Sequence, residues 1–352
     1  MTGYSFSKVF NPQPGWYSGD FHLHSNASHD GENSTTELVE LAREEGLDFL
    51  ALTDHNTIDG FTEIAENLDF PFIPGIEVTL SKGHFNVFGM GAWRPWMAEI
   101  NISQRAILLP DKYQSVSELM GVISQEGYIN SINHPLLHPW EWLYKKTDLN
   151  YVHCVELWND LYWPDNAIAN PKMVELWTSW LNNGVRVLAI GGSDYHYPPK
   201  PDLGLFGERL GQPTTYVYAE ELSVTGILDG VRCGKAYVSR GPKVDFQATT
   251  GSGTFAIGDD MGEHSGEIWF TISLSNQKDN AEVQLVRNGE VVASAQLGRE
   301  GKSCEFRYDG QRSSSSWFRV DVIDDAGQAL AITNPIFSNY RQIEGPNTWD
   351  GA

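Results

Sequence analysis

Residues 34–55 read STTELVELAREEGLDFLALTDH, and the order of signals in that stretch decides the fold class. Ser34 to Glu37 has the S-x-x-E spacing of a capping box, in which each side chain satisfies the other residue's free backbone N–H. Leu38, Leu41 and Ala42 then recur on one helical face, and Gly46 can take the left-handed conformation that stops the helix. LDFLALT follows as a short apolar strand and ends in Asp54-His55. The unit returns at Ser115 to Glu118, with Leu119, Val122 and Ile123 as stripe, Gly127 as stop, and YINSI leading to Asn133-His134-Pro135. A third copy opens with Asn170 and Pro171, carries Val174, Trp177 and Leu181, and stops at Gly184. Its strand VRVLAI runs into Gly191-Gly192-Ser193-Asp194-Tyr195-His196, and a last helix candidate spans Leu222 to Val231. Repeated βα units predict a parallel sheet, open or closed as a barrel. The barrel is favoured because each His/Asp/Glu group lies just past the C-terminal end of a strand, where barrel enzymes place their chemistry.

From about Arg240 the texture changes. WFTISLS, AEVQLV, EVVASAQL, CEFRY and SWFRVDVI alternate apolar and polar residues, separated by turn signals at Asn288-Gly289, Asp309-Gly310 and Ala326-Gly327. This predicts an all-β region, a sandwich, and two domains at 1–239 and 240–352 with the boundary near Ser239-Arg240-Gly241-Pro242.

The chain has 352 residues, 41% of them hydrophobic and 20% charged, which supports a sizeable core and excludes a disordered or fibrous protein. Lys plus Arg is 24 and Asp plus Glu is 46, a formal net charge of −22 that argues against general nucleic-acid binding. No apolar run approaches the roughly 20 residues of a membrane span. The opening MTGYSFSKVFNPQPG lacks the basic and apolar regions of a signal peptide. Cys154, Cys233 and Cys304 are odd in number and far apart, against a disulfide framework. The expectation is a soluble, cytoplasmic protein; a homo-oligomer is compatible with it.

Phe21-His22-Leu23-His24 sits at the end of a strand, where residues i and i+2 share one face and can reach one ion. Asp194-Tyr195-His196 repeats the geometry with a carboxylate and an imidazole. One such pair is weak evidence, but His22, His24, His55, His84, His134 and His196 are six of the ten histidines and all occupy strand-end or strand-start positions. That sorting points to a metal site, and a mixed His/carboxylate shell without thiolate suits Zn, Mn or Fe.

Asp20-Phe21-His22-Leu23-His24-Ser25, Asp30-Gly31, Thr53-Asp54-His55, Pro74-Gly75-Ile76-Glu77, Ile132-Asn133-His134-Pro135 and Gly192-Ser193-Asp194-Tyr195-His196 stand in the order of the PHP (polymerase and histidinol phosphatase) metallohydrolases, which the chain resembles over residues from about 18 to 240. Gly83 to Gly89, Val155 to Asn159, Tyr237 to Pro242 and Thr333-Asn334-Pro335-Ile336 are similar to the CehA/McbA branch, named for a carbamate hydrolase though most of its members are assigned as phosphoesterases. The resemblance implies a distorted (β/α)7 TIM-like barrel holding two or three divalent ions, followed here by the smaller β-sandwich. It implies a first ion on His22, His24, Glu77 and Asp194, with Glu77 bridging to a second on His84 and His134. A third would take Asp30, His55 and His196; His29 or Asp30 could supply that ligand, and Asp30 is preferred because it precedes a glycine.

Paired ions can deprotonate a shared water, clamp a phosphoryl oxygen and steady the leaving oxygen. The expected reaction is attack of metal-bound hydroxide on a phosphomonoester or small phosphodiester, with Glu77, Asp194 and His196 as the catalytic residues. Amide, ester or carbamate hydrolysis is the rival within enzymes, and a non-catalytic metal-binding protein the rival outside them. Asn159, Arg240 and Lys82 are candidate substrate contacts, with Arg209 a further candidate phosphate ligand. Asp20 or Asp54 could hold an imidazole tautomer, or be an ordinary strand-end carboxylate. Half of the twelve tryptophans fall between Trp93 and Trp163, in insertions that either wall the pocket or pack over the barrel. His138, His153 and His264 have no motif behind them and read as structural or surface residues.

Overall fold

Ser34 and Glu37 form the expected capping box, with the Ser34 hydroxyl accepting the Glu37 N–H and the Glu37 carboxylate accepting the Ser34 N–H at 2.8 Å. The computed structural model describes residues 7–62, 69–100, 105–200, 209–298, 302–310, 315–342 and 347–351. In chain order its elements are β1 (Val9–Asn11), β2 (Gly15–Leu23), α1 (Thr35–Glu44), β3 (Phe49–Leu52), β4 (Phe72–Leu80), β5 (Gly83–Phe88), α2 (Val116–Gln125), β6 (Ile129–Ile132), β7 (Cys154–Asn159), α3 (Asn166–Asn182), β8 (Leu188–Gly192), β9 (Thr214–Ala219), β10 (Leu222–Ser223), α4 (Val224–Arg232) and β11 (Ala236–Ser239). The rest is strand: β12 (Lys243–Thr250), β13 (Gly253–Ala256), β14 (Gly266–Ser275), β15 (Ala281–Arg287), β16 (Glu290–Leu297), β17 (Ser303–Gly310), β18 (Ser316–Ile323), β19 (Ala329–Thr333) and β20 (Ile336–Ser338).

The expectation of a wholly parallel sheet needs correction. β2, β3 and β4 pair in parallel, as do β6, β7 and β8, but β5 runs antiparallel between them. Only Ser81 and Lys82 separate Leu80 from its partner Gly83, and a two-residue link leaves no room for a crossover helix. The reversal places the start of β5, and with it His84, at the sheet end where the parallel strands finish. The third helix also begins earlier than expected, at Asn166, and carries Pro171 inside it. Asn170 does not cap that helix; its amide is bonded to the backbone of Asn159. Asp309 and Gly310 end β17, paired with Glu267 and Gly266, rather than making a turn.

The large sheet runs in the order β16-β15-β18-β19-β11-β9-β2-β3-β4-β5-β6-β7-β8, so it crosses position 240 through the β11–β19 pair. A second sheet, β13-β12-β14-β17, packs across its C-terminal strands. Phe246, Phe270 and Ile272 of the small sheet share one apolar core with Val283, Val320 and Val322 of the large one. At the other end of the order, β8 bends back onto β2. The His24 N–H donates to the Tyr195 carbonyl and the Asp194 N–H to the His22 carbonyl, each at 2.8 Å. A Cβ at Gly192 would stand 2.4 Å from the His22 Cβ, so glycine alone permits that approach.

The outward edge of β8 has side chains where a neighbouring strand would be. Asn334 accepts the Ala189 N–H at 2.8 Å and donates to the Ala189 carbonyl at 2.9 Å and to the Ala236 carbonyl at 2.9 Å. Two residues on, the Thr215 hydroxyl meets both the N–H and the carbonyl of Gly191, and two further on Asp20 accepts the Ser193 N–H. This alternation is the period of a strand's free edge.

Candidate metal centre

The strand ends converge as the spacing predicts. All nine expected ligands fall into four groups whose donor atoms lie within 4.8 Å of one another: His24, Asp30, His55 and His196; His22, His24 and Glu77; His22, His134 and Asp194; and Glu77, His84 and His134. Glu77, from the middle of β4, is fully buried at the centre. Its Oε1 lies 3.4 Å from His22 Nε2, 3.2 Å from His84 Nδ1 and 3.3 Å from His134 Nε2. Its Oε2 lies 2.6 Å from His55 Nδ1 and 3.6 Å from His24 Nε2. Asp194 Oδ1 stands 3.1 Å from His22 Nε2 and 3.2 Å from His24 Nε2.

Asp30, not His29, enters the clusters. Its Oδ2 is 3.4 Å from His55 Nε2 and 3.8 Å from His196 Nε2, whereas His29 touches Asp30 itself. Gly31 allows the tight loop behind it, since a Cβ there would stand 2.1 Å from the Ser25 carbonyl. His134 and Asp194 hold φ of 28° and 55°, a left-handed conformation that costs energy for any residue with a Cβ. Two ligands in that region indicate that the surrounding packing fixes where their side chains point.

Several imidazoles are set by a partner on the far ring nitrogen. Glu156 Oε1 stands 2.6 Å from His22 Nδ1, and its other oxygen accepts the His134 N–H at 2.6 Å and the Asn159 Nδ2 at 3.1 Å. His196 Nδ1 donates to the Asp194 carbonyl at 2.6 Å, and His55 Nδ1 meets the Thr79 hydroxyl at 2.6 Å. Such contacts select the tautomer and aim the remaining nitrogen inward. Glu156 was not expected in this role. Its sequence signals are an acidic residue inside the apolar strand CVELWN and its place in the Val155–Asn159 segment that carries the resemblance.

Asp20 and Asp54 do not hold imidazoles. Asp20 accepts the backbone N–H groups of His22, Ser193 and Gly211, and Asp54 those of Ser25 together with its hydroxyl. They bind the ligand loops by their backbones, and burial pushes Asp20 up to about 6 and Asp54 up to about 7.

Burial alone would raise the Glu77 carboxyl, but His55, His22 and His84 outweigh it and hold it well below the usual carboxylate range. Asp194 is held low against burial chiefly by His22 and His24. Burial pushes His24 down to about 3, with His196 and His55 adding to it. His55, although burial also disfavours its charge, is carried up to about 10 by Glu77 and Asp30. Protons balance the carboxylates in this cluster, and cations binding there would release them.

The donor set fits divalent metal on a second ground. His22 Nε2 and His84 Nδ1 are buried without a well-formed hydrogen bond, although Glu77 Oε1 stands 3.4 and 3.2 Å away. Buried polar atoms are rarely left so unless an ion or water belongs there.

The cluster opens into a cavity of about 430 Å³ whose walls include Arg105, Leu137, Trp140, Asn159, Trp163 and Tyr197. Of the three expected substrate contacts, Asn159 alone lies on it. Lys82 sits in the β4–β5 turn, where its carbonyl accepts the Leu143 N–H, and Arg240 reaches Gln328 on the C-terminal strands. Arg209 lies over the Tyr162 ring, 5.5 Å from its centroid. Arg105 was missed because its segment has no periodicity; it is placed by the bridge of neighbouring Ile107 to Leu80 at the end of β4. Both outcomes weighed for the tryptophans occur. Trp96 and Trp142 are core, while Trp140 and Trp163 wall the cavity. His138 is exposed and paired with Glu141, and His153 and His264 lie off the cavity in backbone contacts.

The chain is 37% identical over 95 residues to a 5′-3′ exoribonuclease of Haemophilus influenzae, a match covering 25% of this chain. It spans about a third of that relative's length, 34%. Its fold is that of a two-domain protein from Bacteroides vulgatus said to contain a predicted PHP-like metal-dependent phosphoesterase, with TM-score 0.50 and 18% identity over 95% of this chain and 100% of that one. A weaker likeness, TM-score 0.38 at 19% identity, joins 60% of this chain to 95% of a protein from Bifidobacterium adolescentis described as a candidate metal-dependent phosphoesterase. Residues 20–157 match the PHP domain model, the stretch that supplies His22, His24, Asp30, His55, Glu77, His84 and His134, so this chain carries a PHP domain.

Proposed function

We propose that the protein is a metal-dependent phosphoesterase acting on phosphomonoesters or small phosphodiesters. The observation that carries this is the buried Glu77 carboxylate with five imidazoles within 3.6 Å of its oxygens, an arrangement suited to bridging two cations. Two or three divalent ions held there (Zn, Mn or Fe) would supply an activated water and charge stabilisation for the phosphoryl group. His22, His24, Glu77 and Asp194 form one proposed set, Glu77, His84 and His134 a second, and Asp30, His55 and His196 a third. Asp194 and His196 line the cavity, so they are placed to meet the reacting group, while Glu156 holds His22 and Asn159 in position. Asn159 is the proposed substrate contact from the original three, and Arg105 joins it.

We read the arc β2–β8 as a distorted (β/α)7 barrel and residues 240–352 as a β-sandwich packed against it. A net charge of −22 disfavours tracking along a polynucleotide, which favours a small substrate over the polymer in the exoribonuclease's name. No helix among the described residues is long and apolar enough to cross a membrane. Hydrolysis of an amide, ester or carbamate is the second reading; the apolar walls of Leu137, Trp140 and Trp163 favour it.

The test is metal analysis by mass spectrometry followed by a substrate panel. Two or three ions per chain, lost in Glu77→Ala, and turnover of aryl phosphomonoesters or phosphodiesters support the proposal. Turnover of carbamates alone replaces it with the second reading.

A further inference from the structure

Seven of the twelve tryptophans are buried, whereas Trp93, Trp140, Trp163 and Trp269 are exposed, and of these four only Trp140 and Trp163 line the cavity. Trp96, Trp142, Trp177, Trp180 and Trp317 are fully buried, yet Trp140 and Trp163 remain 39% and 38% exposed on the cavity wall. They meet each other edge to face, with centroids 5.7 Å apart and planes at 73°. Trp140 follows β6 by way of His134, and Trp163 follows β7 by way of Asn159, so two different loops bring the rings together beside the ligand cluster. An edge-to-face pair makes a corner: one indole presents its face and the other closes the side. Leaving two large rings partly open forgoes burial that the loop after β6 achieves at Trp142, and a corner of this kind beside convergent polar groups suits a ligand surface.

Charge is placed differently on the same cavity. Arg105 is the one arginine or lysine among the described lining residues, and its backbone lies beside the end of β4, where the Asn56 amide donates to the carbonyls of Thr79 and Arg105 and Ile107 bridges Leu80. The cavity therefore has an ion-type floor, one cationic side chain, and an aromatic corner on the β6 and β7 side.

We infer that the site selects an ester whose leaving group carries a flat aromatic ring, stacked in the Trp140–Trp163 corner, with its phosphoryl group on the cluster and facing Arg105. This deepens the phosphoesterase reading and rests on it for the identity of the anionic group. The ring assignment rests on the corner alone.

Isothermal titration of the metal-loaded protein with phosphonates separates the two, because these probes bind without turnover. Phenylphosphonate is compared with cyclohexylphosphonate, which has the same carbon count but is not flat, and with the phosphonate analogue of adenosine 5′-monophosphate, whose P–C bond is not hydrolysed. Stacking predicts that phenylphosphonate binds about two- to tenfold tighter than the cyclohexyl probe. Trp140→Leu and Trp163→Leu, which keep apolar bulk, should abolish the preference, whereas Arg105→Gln should weaken both phosphonates alike and leave it intact. A preference shown only by the nucleotide supports the corner and makes the ring a nucleobase. Affinity for the cyclohexyl probe equal to that for both flat probes, or a preference that survives both leucine variants, overturns the inference. Hydrolysis of phenyl phosphate and of glycerol phosphate reports separately on the phosphoesterase reading: turnover of neither defeats that reading, while the ring preference of the phosphonates is read from binding alone.

Discussion

The arc β2–β8 and the C-terminal strands solve the problem of a buried sheet in opposite ways. β12 alternates exposed and buried residues as KVDFQATT, and its inward side chains are Val244, Phe246 and Ala248. β4 and β5 are buried at every position, yet Glu77, Thr79, His84 and Asn86 lie inside them. The first region is held by apolar contact with the opposite sheet. The second must satisfy many buried polar groups, and it does so with asparagines that bond both backbone groups of one strand residue. Asn56 holds Thr79, Asn170 holds Asn159 and Asn334 holds Ala189. Polar frames of this type fix direction, whereas apolar packing chiefly fixes stability.

Substitutions can separate those roles. The largest effect is expected for Glu77→Gln, which removes the central charge. Metal affinity measured by competition with a chelator should fall by more than about a hundredfold, since even residues behind the ligands typically cost 10- to 100-fold. Phe318→Ala, in the C-terminal core against Phe270, should cost about 3–5 kcal/mol in denaturant unfolding while metal per folded chain stays constant. A fall in metal content there would break the comparison.

Asn334→Leu crosses the two regions. It leaves the Ala189 N–H, the Ala189 carbonyl and the Ala236 carbonyl without their amide partner, a cost of about 2–4 kcal/mol. Because Ala189 lies on the strand leading to Asp194 and His196, chelator competition should show weaker metal binding as well, and unchanged affinity would confine Asn334 to stability.

Glu156→Gln should lower metal affinity about 10- to 100-fold with little change in unfolding. Glutamine has a single acceptor oxygen: turned toward the His134 N–H and the Asn159 Nδ2, it puts an NH2 donor against His22 Nδ1, and turned toward His22 it leaves the other two donors without an acceptor. The smallest effect is Ser34→Ala, about 1 kcal/mol from the lost cap of α1, with metal binding untouched.

The cluster of candidate ligands was legible because its chemistry is tied to position in the strand. His22 and His24 two apart, and His55, His134 and Asp194 at strand ends, are local patterns, and convergence follows from the sheet. Glu156 was not legible, because its partner His22 lies 134 residues away and only the strand register brings them together. Lys82 and Arg240 are not among the residues lining the cavity for the converse reason: a cation near a motif in sequence need not share its space in the fold. The antiparallel β5 was hidden in the shortness of one turn. The starts of α1 and α2 were readable from Ser34 and Ser115, but α3 was misplaced because Asn170 looks like a cap and serves as a clamp.

The side-chain edging of β8 bears on how the chain can be cut. Trimming it near Pro242 would carry off Asn334 together with β19, baring a run of backbone donors and acceptors on β8 and on β11. Exposed ribbons of that sort recruit copies of themselves, so the shortened product should clump in proportion to its concentration. A minimal catalytic fragment would have to bring its own replacement for those lost hydrogen bonds.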